Sequence, residues 1–282
     1  MYIFYAIIAA FFSGLTTIFS KYGLNNTNSN VVTAIRTIII FIFSFIIFLI
    51  FKNSFHELNL NNSLFLILSG ITTALLWLFY FKALSLSDIS KVTPVDKTSV
   101  ILTLILSFIF FNEKITIYKI FSIIFLILGT YLMVKKTHKV ENNNWFIYAL
   151  LTAVFTSIST ILAKLGLKDI NFYLANLFRT FIVLIITWIY IYLKKEYKDI
   201  KDISLKNYIF ILLSGVSTTL SWIFYFIALK EGDASIVFPI EKLSAVFAII
   251  GSVIFLKERL NYKNVIGFIF IIISVIILAI FK

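Results

Sequence analysis

The 282-residue chain has no cysteine, only two prolines and two histidines, and charged residues form just 13% of it. The absence of cysteine excludes disulfides and thiolate metal sites. His56 and His138 share no spacing with each other, so no metal cluster is expected. Neither G-x-x-x-x-G-K-[ST] nor G-x-G-x-x-G occurs, so transport driven by ATP on this chain is not expected. Strand-length alternation of apolar and polar residues is also missing, which excludes a β-barrel. No histidine, cysteine or paired carboxylates converge in the apolar stretches, so the sequence points to no enzyme and no cofactor. The carboxylates of DIKD (199–202) have Mg²⁺-holding spacing, but they stand alone in a lysine-rich loop and read as solvated surface.

In place of charge there is hydrocarbon. Hydrophobic residues reach 61%, where a soluble domain shows about 45–50%. About 20 helical residues cross the hydrocarbon core of a bilayer. Ten apolar runs of that kind are found, at 2–20, 31–51, 63–84, 92–111, 117–134, 145–163, 172–193, 207–229, 236–256 and 264–281. The first lacks the basic start of a signal peptide and reads as a membrane span. The net charge of +12 lies mostly in loops, where it sets topology and meets anionic lipid headgroups; nucleic acid is not an expected partner.

The chain is written twice. FSGLTTIFSKYGL (12–24) matches FTSISTILAKLGL (155–167) at an offset of 143, which also carries Arg36 onto Arg179. From residue 65 the offset is 145, with 18 identities in 35 positions, among them Trp77/Trp222, Tyr80/Tyr225, Pro94/Pro239 and Lys97/Lys242; Asp96 meets Glu241. Each unit holds five spans, so the second copy crosses the membrane in the opposite sense. The expected fold is an all-α integral membrane protein of ten transmembrane helices, arranged as two inverted five-helix repeats. The expected halves are residues 1–138 and 139–282, together one membrane domain.

The W-x-x-Y-x-x-A-L segment, the later GDASIVFPIEKLS and the N-E-K turn resemble the repeat of the EamA family of the drug/metabolite transporter superfamily. The first half departs from that pattern as SDISKVTPVDKTS. The resemblance spans nearly the whole chain. It implies ten helices around a cavity near the bilayer midplane, and transport of a small metabolite, often outward and often coupled to a proton or to exchange. It also implies cytoplasmic termini. The lysine count points the other way: eleven basic residues lie in loops 5–6, 7–8 and 9–10, against six on the opposite side, which holds both termini.

Eight basic residues fall in or at the ends of spans: Lys21, Arg36, Lys82, Lys91, Lys97, Lys164, Arg179 and Lys242. Charges inside a bilayer are functional candidates. Lys21, Arg36, Asp96 and Lys97 are expected as one cluster near one membrane face, with Lys164, Arg179, Glu241 and Lys242 as its twin near the other. Arg36 and Lys97 are placed ~8 Å deep, from about five residues at 1.5 Å each. One expectation is that the two clusters are two gates, one closing by pairing of Asp96 with Lys21 or Arg36 while its twin opens. Snorkelling to the headgroups is the competing reading for Lys21, Lys82, Lys91 and Lys164; a structural ion pair is the competing reading for the acid–lysine pairs. Pro94 and Pro239 are expected to let spans 4 and 9 begin irregularly.

Thr73, Trp77 and Tyr80, with Thr218, Trp222 and Tyr225, share helix faces and are candidates to line a cavity that stacks on a flat or apolar solute, helix packing being the alternative. Ser69–Gly70 and Ser214–Gly215 suggest close helix contact, and Glu113 and Glu258 suggest turn-capping. The sequence reads as a secondary transporter, an exporter or exchanger, in a plasma-type membrane. Its excess of basic residues in each cluster favours an anionic or carboxylate-bearing small-molecule cargo. A proton-coupled member would use Asp96 or Glu241. A laterally open lipid flippase is the first alternative and a channel the second. Monomer and homodimer both fit.

Overall fold

The structure is a computed structural model that describes residues 1–51, 58–111, 116–134, 144–168, 170–232, 234–241 and 243–280. All regular structure among them is helical. The helices are α1 (Tyr2–Gly23), α2 (Ser29–Ile50), α3 (Leu60–Leu86), α4 (Ile89–Lys97), α5 (Ser99–Phe111) and α6 (Ile117–Val134). A second series follows: α7 (Asn144–Gly166), α8 (Phe172–Leu193), α9 (Leu205–Glu231), α10 (Ala234–Glu241), α11 (Ser244–Phe255) and α12 (Tyr262–Ile280), with a 3₁₀ turn, Glu196–Asp202, before α9. Seven helical stretches among the described residues, counting α4 with α5, are long and apolar enough to cross a membrane. α11 and the described parts of α6 and α12 are shorter and equally apolar. The chain is an integral, multi-pass membrane protein.

Its polarity is reversed relative to a water-soluble fold. Phe108, Ile109, Phe110, Leu193 and Ile254 are exposed, while Arg36, Ser20, Thr33, Thr187 and Ser214 are buried. A contiguous apolar exterior is unstable in water and stable against lipid tails. Inside, many hydroxyls bond back to their own helix, as Thr187 Oγ1 does to Val183 O (2.9 Å), which satisfies them without water.

Packing exchanges partners between the halves. α1 lies mainly on α9 and α3 on α7, while α2 pairs with α8 and α6 with α12. The contacts repeat with the sequence. Asn62 donates to Lys168 O and Asn207 to Asn25 O, both at 2.8 Å. A Cβ on Gly70 would stand 2.7 Å from Ile182 Cβ, and one on Gly215 would stand 2.6 Å from Ile39 Cγ2, so both glycines are needed for close helix approach.

The prolines act deeper than the sequence suggests. Pro94 is sixth in α4 and Pro239 sixth in α10, so each lies inside its helix. A proline there removes one i→i−4 bond and crowds the preceding turn. Each helix ends two or three residues later, at equivalent points. Thr98 N–H bonds to Val95 O (3.1 Å) and Leu243 N–H to Ile240 O (3.0 Å), the tighter i→i−3 pattern. Spans 4 and 9 are thus each divided in two, not merely irregular at the start.

Candidate functional site

Both divided spans end their first segment at one internal cavity. Its empty space is about 930 Å³ with open solvent included. Both halves wall it. From the first come Arg36, Thr73, Trp77, Tyr80, Asp96 and Lys97, and from the second Arg179, Thr218, Trp222, Tyr225 and Glu241. Lys242 lies outside the described residues.

At the centre is a stack of cations on indoles. Trp77 and Trp222 have ring centroids 5.0 Å apart. Arg36 Cζ lies 4.4 Å from the Trp77 ring and 4.6 Å from that of Phe81. Arg179 Cζ lies 3.9 Å from Trp222 and 4.7 Å from Phe226. α3 and α9 set this arrangement, because Trp77 and Phe81, like Trp222 and Phe226, are one turn apart on a shared face. A guanidinium over an indole gains cation–π attraction when desolvated. The indoles are covered by each other and by arginine, which leaves little face for the aromatic stacking on solute that the sequence suggested.

The carboxylates sit beside this stack. Asp96 pairs with Lys97 at 3.2 Å, and the Lys97 ammonium also feels Glu241 from the other half. Ser244 donates to Glu241 at 3.5 Å. Thr17 and Tyr80 share a 2.9 Å hydrogen bond, and Thr73 one of 2.6 Å with Ser159. Among the described residues there is no group of three His, Cys, Asp or Glu able to hold a metal ion.

Three sequence expectations need correction. The two clusters do not lie near opposite faces; Arg36, Asp96 and Lys97 meet Arg179 and Glu241 in one cavity. α2 begins at Ser29 and α4 at Ile89, earlier than the apolar runs, so seven or eight residues precede these charges instead of five. Each therefore lies ~11 Å along its helix, not ~8 Å. Asp96 pairs with neither Lys21 nor Arg36. Lys21 is spent on the C-terminal end of α3, donating to Leu84 O (2.6 Å) and Ser87 O (2.7 Å), where carbonyls left over by the helix attract a cation. Lys21 is thus held by backbone acceptors and not by Asp96. Lys164, its repeat equivalent, stands 5.0 Å from the Phe111 ring and does not line the cavity.

Other readings resolve locally. The Glu258 carboxylate accepts from the N–H groups of Ile89 (3.0 Å) and Ser90 (3.2 Å), so the second half caps α4 of the first. Glu113 lies outside the described residues. Asp199 of DIKD accepts from Asn28 Nδ2 at 2.8 Å and Glu196 from Asn30 Nδ2 at 2.9 Å, bracing the α1–α2 turn. Sequence reasoning missed the hydroxyl face of α7, where Thr152, Thr156, Ser159 and Thr160 line the cavity; their helical spacing was the available signal.

Comparison with known proteins fits this architecture. The EamA-like transporter family matches residues 1–135 and again 143–280. An uncharacterized transporter of a Sinorhizobium species is 37% identical over 140 residues, half of this chain and 99% of its own length. An uncharacterized transporter of Archaeoglobus fulgidus is 26% identical over 78% of this chain and 77% of its own. One crystal structure superposes with a TM-score of 0.70 over 96% of this chain and 95% of its own at 14% identity, which shows a shared fold. With a duplicated helical bundle closing on a shared internal cavity, and a family match across both halves, the chain belongs to the EamA-like transporter family.

Proposed function

We propose that the protein is a secondary transporter of a small organic metabolite in a plasma-type membrane. In this reading ten crossings form two inverted halves, 1–138 and 139–282, which alternate access to the central cavity. The observation that carries it is the equal contribution of both halves to one cavity, at the point where both proline-containing spans divide. Divided helices meeting near the midplane are where inverted-repeat carriers hold their cargo. The main packing crosses the halves, α1 on α9 and α3 on α7, so the bodies that rock about the cavity are mixed bundles, each built from helices of both halves. The two acid-bearing segments, ending at Lys97 and Glu241, would move with that rocking, so they serve as inner parts of one site and not as separate gates at the two faces.

The chain lacks cysteine, so a single introduced thiol reports without background. Ser13 lines the cavity midway along α1. In sealed vesicles, a carrier with Ser13→Cys reacts with a membrane-impermeant thiol reagent added to either side, while ion conductance stays at carrier rates. Reaction from one side only would sink alternating access; large single-channel currents would show a channel instead.

A further inference from the structure

Arg36 and Arg179 are equivalent in the repeat, yet they are engaged differently. Arg36 Nη2 reaches across the interface and donates to Thr218 Oγ1 at 2.5 Å; Thr218 donates in turn to Ser214 O at 2.8 Å. The equivalent pair would be Arg179 with Thr73. It is not formed: Thr73 bonds to Ser159 at 2.6 Å, as Thr218 bonds to Thr16 at 3.1 Å, but only Thr218 also takes an arginine. Among the described residues Arg179 donates no hydrogen bond. It is 5% exposed, and its Nε is buried without a partner, as are Nε and Nη1 of the 1%-exposed Arg36; what separates the two is the single bond of Arg36 to Thr218.

A guanidinium carries five N–H donors in a planar fork that fits an oxyanion. A cation withdrawn from water with no anion beside it is among the least favourable arrangements in a bilayer. The ring of Trp222, 3.9 Å away, offsets part of this but accepts none of the in-plane N–H groups. The nearby carboxylates are already used, Asp96 by Lys97 at 3.2 Å and Glu241 by Ser244 at 3.5 Å. The described charged groups of the cavity wall are three cations and two carboxylates, an excess that one negative charge balances.

Resting on the transporter reading above, we infer that Arg179 is the anion receptor of this state and takes one carboxylate of the cargo, while Arg36 is withheld by Thr218. The two arginines exchange these roles when access inverts. The duplication requires the exchange: in the opposite state the halves trade conformations, so Arg179 ties to Thr73 and Arg36 is released. A monocarboxylate balances the excess of the described charged groups, which a phosphate dianion would exceed.

The test measures binding of lactate, benzoate and inorganic phosphate to the purified full-length protein by thermal unfolding and calorimetry. At least one of the two carboxylates should bind saturably. Arg179→Gln should weaken it about 10- to 100-fold, as expected for losing charge-assisted hydrogen bonds. Arg179→Lys, which keeps the charge and tests against simple misfolding, should still weaken it about tenfold because the fork is lost. The decisive variant adds Thr218→Val to Arg179→Gln: freeing Arg36 should restore binding by at least tenfold. Unchanged affinity in Arg179→Gln, no restoration by Thr218→Val, binding of phosphate alone, or binding of none of the three would each overturn the inference. Labelling of Ser13→Cys from both sides in the same variants separates the two ideas. If labelling persists while anion binding fails these tests, the carrier reading stands and the arginine assignment falls.

Discussion

The indole of Trp77 lies 5.0 Å from that of Trp222, its equivalent in the other half, and each carries an arginine, Arg36 at 4.4 Å and Arg179 at 3.9 Å. The contact joins the halves at the cavity. Aromatic pairs contribute about 0.5–1.5 kcal/mol beyond area burial. Trp77→Leu and Trp222→Leu should each destabilise the protein, and the double variant should lose less than the sum, with a coupling of about 1 kcal/mol in a double-mutant cycle by thermal unfolding in detergent. Strict additivity would mean that the rings do not support one another.

Neutralising Asp96 alone leaves the Lys97 ammonium buried beside one fewer carboxylate. Removing one partner of a buried pair costs about 3–5 kcal/mol, whereas replacing both with apolar residues of similar size is near neutral. Asp96→Asn should therefore lower the unfolding midpoint strongly, and Asp96→Leu with Lys97→Met should recover most of it. A double variant less stable than Asp96→Asn would show that the pair is not the relevant contact.

Gly70 and Gly215 hold α3 and α9 against α8 and α2. A methyl at Gly70 would meet Ile182 Cβ at 2.7 Å and Arg179 O at 3.2 Å; at Gly215 it would meet Ile39 Cγ2 at 2.6 Å. Overpacking of this kind costs about 1–3 kcal/mol. Gly70→Ala and Gly215→Ala should both destabilise, and by similar amounts because the contacts are equivalent. Gly70→Ala should also shift α8, the helix that carries Arg179, which a tryptophan fluorescence change at Trp222 would register.

Glu258 of the second half caps α4 of the first through the N–H groups of Ile89 and Ser90. An N-terminal cap contributes about 0.5–2 kcal/mol. Glu258→Ala should speed hydrogen exchange at those two amides roughly fivefold, as about 1 kcal/mol implies, with little change in the middle of α3. Equal acceleration throughout the bundle would indicate global loosening instead of a lost cap.

Much of this was legible before any coordinates. Composition decided the solvent, since a chain 61% hydrophobic with 13% charge has too little polar surface to face water. The repeat decided which residues are equivalent, and the two prolines marked where spans 4 and 9 would deviate, because a missing N–H and a ring clash are local effects. The tertiary structure decided depth, partners and convergence. A helix start moved by three residues moves a charge by ~4.5 Å along the helix, and docking of the halves brought the two clusters into one cavity. The acid–lysine pair was among the sequence readings of Asp96–Lys97, and the 3.2 Å contact matches it; that neither Lys21 nor Arg36 takes the carboxylate was not legible. Lys21 met carbonyl groups of α3, and backbone acceptors leave no trace in a pattern of side chains. Arg36 and Arg179 stand 143 residues apart. Their meeting over two stacked indoles depends on how the halves dock, which periodicity within one helix does not encode.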